Sequence, residues 1–167
     1  MVKQAFKKIT NLLGQGQSVE RITFSFCLGI FVACSPFIGF HTALLFVLSW
    51  LLQCNPVVVF TTVYLVSNPI TMVPLLALDY IFGEWLFKTV LNIDLLKYNP
   101  SWMVWFNSKI GHYLSDYLGI TELSFWSFIL GGTILALIIA LVAYPCIKPI
   151  FNYIAQKKND YENNNAK

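Results

Sequence analysis

Ten positions in an otherwise apolar stretch carry polar or backbone-breaking chemistry: Ser35, Pro36, Gly39, His41 and Thr42 in SPFIGFHT, then Asn55, then Asn68, Pro69 and Thr71, then Asp79. Ser or Asn precedes Pro four times, at 35–36, 55–56, 68–69 and 99–100. Each pair is a helix-start signal. Ser and Asn cap the free amides of a first turn, and Pro at the first helical position loses no hydrogen bond. A helix that starts inside an apolar region offers open N–H groups and a fractional positive charge, which suits an anionic group. Gly39 would let a ligand or an opposing segment approach the backbone, and His41 and Thr42 would supply adjustable donors. The segments SPFIGFHTALLF and NPITMVPLLAL share a cap, a proline and a following apolar run. Half-helix ends at Pro36 and Pro69 are therefore expected to face each other across a substrate site. Asp79 is the acid well inside the apolar region, and ionisable groups at such depth are costly and tend to be functional. A His41–Asp79 pair is one reading. The plainer readings stay open beside these: prolines and glycines that only shape packing, a His41 bonded to a backbone carbonyl, and Ser35, Asn55, Asn68 and Thr71 acting as caps.

Bond-breaking chemistry has no such support. The sequence has no Gly-x-Ser-x-Gly elbow, no His-Glu-x-x-His pair, no phosphate-cradling glycine loop with lysine and no acidic cluster for a metal. Cys27, Cys34, Cys54 and Cys146 lie in apolar segments without a Cys-x-x-Cys pair, so they read as small hydrophobes. The expectation is a protein that is not an enzyme and uses no metal or cofactor.

The elements that must position these residues follow from composition. The chain is 57% hydrophobic and 11% charged, where about 25% charged residues is usual for a soluble domain. Between Ile22 and Val90 the charges are Asp79, Glu84 and Lys88, too few to build a wetted surface. An all-α integral membrane protein is the reading. The prolines cut the apolar region into pieces near 22–34, 37–53, 56–67 and 70–91. Three are shorter than the roughly 20 residues of a full crossing, which predicts broken or re-entrant helical hairpins over 22–53 and 56–91. Residues 125–147 carry no charge and are long enough to span a bilayer. Gly131 and Gly132 within them would admit a neighbouring helix. Residues 1–17 read as a basic interfacial amphipathic helix, 100–118 as an external amphipathic helix and 156–167 as a disordered tail. The single membrane domain is 18–155.

Orientation comes from the basic residues. Lys3, Lys7, Lys8 and Arg21 precede the first apolar segment, and Lys148, Lys157, Lys158 and Lys167 follow the last. Both termini are therefore expected in the cytoplasm, with the connection between Lys88 and Glu122 outside. Residues 22–91 must then cross an odd number of times. The net charge of +3 is too small and dispersed to suggest nucleic acid.

The block from Ser18 to Trp85 resembles the bacterial family called domain of unknown function 2062. That family's pattern is a glycine followed by an aromatic, a Pro-x-x-Gly element, an apolar helix ending in Asn, and an Asn-Pro-x-Thr element leading to Pro and Gly. Here Gly29 and Phe31, Pro36 and Gly39, Asn55, then Asn68, Pro69 and Thr71, then Pro74 and Gly83 match it. His41 and Thr42 occupy the position associated with Gln or His before Thr, while Asp79 lies outside the pattern. Some members look fused to glycosyltransferase domains, so the resemblance implies the bacterial inner membrane and lipid-linked or cell-envelope chemistry. Two functions are carried forward. One is transport or flipping of a small anionic or lipid-linked substrate, with membrane lipids and a phosphate-bearing lipid or small anion as partners. The other is a non-catalytic scaffold for an envelope enzyme, or a homo-oligomer, which a leftover small-residue face around Gly131, Gly132 and Thr133 would favour.

Overall fold

The computed structural model describes residues 18–37, 39–105, 107–108 and 124–165, and among these every regular element is helical. The expected helix over 1–17 lies outside the described residues. Ser18 caps the first helix, α1 (Val19–Cys34), accepting from the Arg21 amide at 3.3 Å. It ends where Ser35, constrained by the following proline, adopts extended backbone at φ −75° and ψ 145°.

Pro36 does not start the next helix. The second helix, α2 (His41–Leu51), begins five positions later with Phe40 as its uncapped N-terminal residue. Two local facts explain the shift. The Ser35 hydroxyl donates back to the Val32 carbonyl at 2.8 Å, closing α1 instead of opening α2. Gly39 sits at φ +84°, a conformation a right-handed helix cannot contain.

Two other proline signals, Asn55-Pro56 and Asn68-Pro69, start helices at the proline itself. After Asn99-Pro100 the helix begins at residue 101, and the Asn99 side chain accepts from the Phe125 amide. In α3 (Pro56–Val66) the Asn55 side chain accepts from the Val57 amide at 2.9 Å. In α4 (Pro69–Glu84) the Thr71 hydroxyl accepts from the Asn68 amide at 3.0 Å. The chain then widens into a π turn, Trp85–Val90. A 3-10 turn (Leu95–Tyr98) follows, and residues 101–105 and 107–108 are helical. The rest of the expected external helix lies outside the described residues.

The last helix, α5 (Phe125–Asn165), runs well past residue 147, through Pro145 and Pro149. It includes most of the tail expected to be disordered. Residues 156–165 contain no Gly or Pro to stop a helix, and their Gln, Lys and Glu favour one. At 1.5 Å per residue α5 is roughly 60 Å long, twice the thickness of a bilayer's hydrocarbon.

Packing is organised around α1. The hydroxyl of Ser25 accepts from the Asn55 amide at 3.0 Å, Gly29 faces Thr62, and Val32 clusters with Val63. These three pairs set α1 and α3 side by side and parallel. Helix α5 runs the opposite way: Lys148 pairs with Glu20 at 3.0 Å, Phe151 packs on Ile22, and Gly132 approaches Pro36. Helices α1 and α2 form a hairpin closed at its base, where Arg21 Nε donates to the Gln53 carbonyl at 2.9 Å. Helix α4 meets α5 backbone to backbone, so that a Cβ on Gly83 would strike the Ser127 carbonyl and one on Gly131 would strike Gly83. At the far end, Asn99 accepts from the Phe125 amide at 2.9 Å and the Tyr98 carbonyl accepts from the Trp126 indole at 2.8 Å.

Two helical stretches, Ile70–Val90 and Phe125–Lys157, are long and apolar enough to cross a membrane. Only 17% and 28% of their most apolar windows are buried inside the protein. Low burial of this kind is unlike a core helix of a wetted globule and hints at association with a membrane.

Candidate functional site

Ser35 and Pro36, at the α1 side of the hairpin tip, meet the middle of α4 and the early part of α5. Asp79 is at that junction, 1% exposed, and its Oδ2 has no hydrogen-bond partner. It is held there by a close approach: a Cβ on Gly132 would lie 2.9 Å from the Asp79 Cβ and Cγ and 3.0 Å from the Pro36 Cγ. Glycine at 132 is what lets the acid and the proline share one plane of the bundle.

Beside the carboxyl is a cavity of about 10 Å³, lined by Cys34, Ser35, His41, Ser67, Met72 and Asp79 with Ala33, Leu75 and Leu76. It holds roughly one water. His41 Nε2 lies 3.2 Å from the Ser35 carbonyl. A carbonyl oxygen only accepts, so Nε2 carries the proton in this contact. The arrangement therefore gathers a carboxyl, an imidazole, two hydroxyls and a thiol around a space for one small occupant. A carboxyl and an imidazole are both groups that can exchange a proton, and a carboxylate can hold a small cation.

The ten positions read from sequence divide sharply. Ser35, His41 and Asp79 line one cavity, and Pro36 packs against the same wall. Gly39 and Thr42 are exposed next to the tip and do not line it. Asn68 and Thr71 cap α4 among exposed residues, Thr71 donating to the Val66 carbonyl at 2.6 Å. Pro69 is the first residue of α4. Asn55 sits at the opposite end of the hairpin beside Ser25. The two half-helix ends expected to face each other at Pro36 and Pro69 do not form as a pair, because no helix starts at Pro36.

Three contributors were missed by sequence reasoning: Cys34, Ser67 and Gly132. In the sequence Gly132 signals only the approach of a helix, and Ser67 carries no cap signal beside Asn68-Pro69. No group of three metal-ligating side chains occurs among the described residues.

A family model described as an uncharacterized protein conserved in bacteria (DUF2062) matches residues 3–160. No curated protein and no solved structure matches the chain.

Proposed function

We propose that this chain, which belongs to the bacterial DUF2062 family, is a multi-pass inner-membrane transporter or flippase that couples substrate movement to an occupant of the Asp79 cavity. The observation that carries this reading is a carboxyl 1% exposed, with an unpartnered oxygen, in a helical stretch long enough to cross a bilayer. Burying such a group costs several kcal/mol, on the order of 3 or more. Proteins retain it where it works. The occupant is a proton or small cation, since a carboxyl and an imidazole do not make an anion cradle.

The packing is consistent with one membrane arrangement. Helix α1 enters from the Arg21 end, α2 returns to it, α3 and α4 carry the chain to the far side, and α5 comes back to Glu20. The hairpin α1–α2 is re-entrant in this reading, and residues 22–91 make one net crossing. The ion pair of Lys148 with Glu20 supports placing both termini on one face, which the basic residues make cytoplasmic. The substrate remains a small anionic or lipid-linked molecule, and no catalytic role belongs to this reading. The scaffold alternative loses its main support, since Gly131 and Gly132 are packed inside against Gly83 and Asp79.

The test is flux across proteoliposomes carrying the purified chain. A fluorescent carrier-lipid phosphate or a radiolabelled small anion should cross faster under an imposed proton or sodium gradient, and Asp79→Asn should abolish the gradient dependence. Movement at the rate of protein-free vesicles for every such probe and gradient would overturn the proposal.

A further inference from the structure

At the base of the α1–α2 hairpin, opposite the tip, lies a far larger cavity. Its volume is about 630 Å³, within the range of sites that hold small molecules. Arg21 is the only arginine in the sequence, and it lines this cavity with Ser49, Gln53, Phe46, Trp50 and Pro56. The guanidinium is fixed by one bond, Nε to the Gln53 carbonyl at 2.9 Å. Gln53 holds that carbonyl in place from a left-handed backbone, φ +51°. One of the five N–H donors is used there, which leaves the forked amino groups for a ligand. The adjacent Glu20 does not compete, since its carboxylate pairs with Lys148 at 3.0 Å.

Ser49 supplies an independent observation. Thr23, Ser25, Thr61, Thr62 and Thr133 each donate to the carbonyl four residues back in their helices. Ser49, also inside a helix and 4% exposed, has a hydroxyl with no partner. Arg21 and Ser49 thus border one cavity with two aromatic rings, the Ser49 hydroxyl itself closed to solvent in this conformation, and Trp50 is 82% exposed. Arginine at the edge of an apolar stretch and an outward tryptophan mark headgroup depth. The anion abundant at that depth is a lipid phosphate.

We propose that this cavity binds the phosphate group of an anionic lipid, with Arg21 donating to its oxygens, the buried Ser49 hydroxyl turning to join it, and the acyl chains lying on Phe46 and Trp50. The proposal rests on the membrane placement given above and not on transport. Planar forked donation to phosphate oxygens is the geometry arginine provides and lysine does not.

The experiment measures binding to the purified full chain in detergent, where flux plays no part, by titration calorimetry with three probes. These are short-chain phosphatidic acid, diacylglycerol of the same chains, and inorganic phosphate. Phosphatidic acid should bind, with affinity reduced about tenfold or more in Arg21→Gln and Arg21→Lys and about threefold to tenfold in Ser49→Ala. Diacylglycerol and inorganic phosphate should bind at least tenfold more weakly than phosphatidic acid, and Lys97→Gln should bind as the unaltered chain does. Because the Arg21 bond to Gln53 also closes the hairpin, Ser49→Ala tests the site if the Arg21 variants do not fold. Equal affinity for diacylglycerol, or unchanged phosphatidic acid binding in Ser49→Ala and in any folded Arg21 variant, overturns the proposal. Inorganic phosphate binding as tightly as phosphatidic acid overturns the lipid as its source. A failure of the flux test with phosphatidic acid still bound would sink transport and leave this site standing.

Discussion

The two ends of the α1–α2 hairpin are built on opposite plans. At the tip, an acid is sealed among helices around a space of about 10 Å³. At the base, an arginine borders an open cavity of about 630 Å³. The tip is closed by backbone-level contacts, Gly132 against Asp79 and Pro36 and Gly83 against Ser127 and Gly131. The base is closed by hydrogen bonds, Arg21 to Gln53 and Asn55 to Ser25, by the Lys148–Glu20 ion pair and by side-chain packing of Ile22, Val58 and Phe151. In a lipid environment apolar burial gives little drive for helices to associate, so close approach of small residues must hold them together. The difference teaches that rigidity has been placed around the buried acid, and room has been left beside the arginine. The predictions below probe that contrast.

The sharpest break is at Gly83. A leucine there has to displace the Ser127 carbonyl and the backbone of Gly131, which no rotamer of a neighbour can relieve. Gly83→Leu should cost about 3 kcal/mol or more, lowering the thermal midpoint in detergent by roughly 10 °C. Fluorescence-detected size exclusion after a heat step measures this. A folded variant with an unchanged midpoint would mean that α4 and α5 are not locked, and the rigid-tip description would fall.

Second is Asp79→Asn, which keeps the shape and removes the ionisable group. The expected outcome is loss of gradient-driven flux with stability within about 1 kcal/mol of the parent, because the side chain has no partner at Oδ2 to lose. A folded variant with full flux would make Asp79 a packing residue only.

At the base, removing a hydrogen bond should give a smaller effect. Asn55→Ala deletes the α3 cap made to the Val57 amide and should cost about 1 kcal/mol. The midpoint should fall by roughly 2–4 °C. A fall as large as that of Gly83→Leu would show that the base is as tightly determined as the tip, erasing the contrast.

The sequence made the breaks legible because proline constrains backbone without help from tertiary contacts. The pieces expected near 22–34, 56–67 and 70–91 correspond to α1, α3 and α4 with its π turn. Ser35-Pro36 misled for a physical reason. A serine hydroxyl can cap the helix before it or the helix after it, and only the fold shows that here it bonds back to Val32. Of the site, Ser35, His41 and Asp79 were found because polar groups are conspicuous in an apolar run. Their meeting depends on Gly132, far away in sequence, and no local pattern announces that contact. Arg21 was read only as a charge that sets orientation. Its cavity is made by the return of α2, a long-range event, and by a left-handed Gln53 that nothing in its neighbours required.

The smallest expected effect is at Gly39, where sequence and structure disagree most about steric consequence. Facing half-helices would have placed Gly39 in a crowded site, so that a large residue blocks it. Instead Gly39 is exposed, and a Cβ built there meets nothing within 4 Å. What restrains the position is backbone conformation alone, φ +84°. Substitution should therefore cost the strain of holding an L-residue in the left-handed region, about 1 kcal/mol, partly offset by a stiffer unfolded chain. The cost should hardly depend on side-chain size. Gly39→Ala and Gly39→Leu should lower the thermal midpoint by the same roughly 1–2 °C, and Gly39→Asn by less, because asparagine tolerates this region. Gradient-driven flux should survive in all three. A Leu variant much less stable than the Ala variant, or one that folds but loses flux, would show that something closes over the hairpin tip during function, and the tip would then be a moving part instead of the rigid end of the pair.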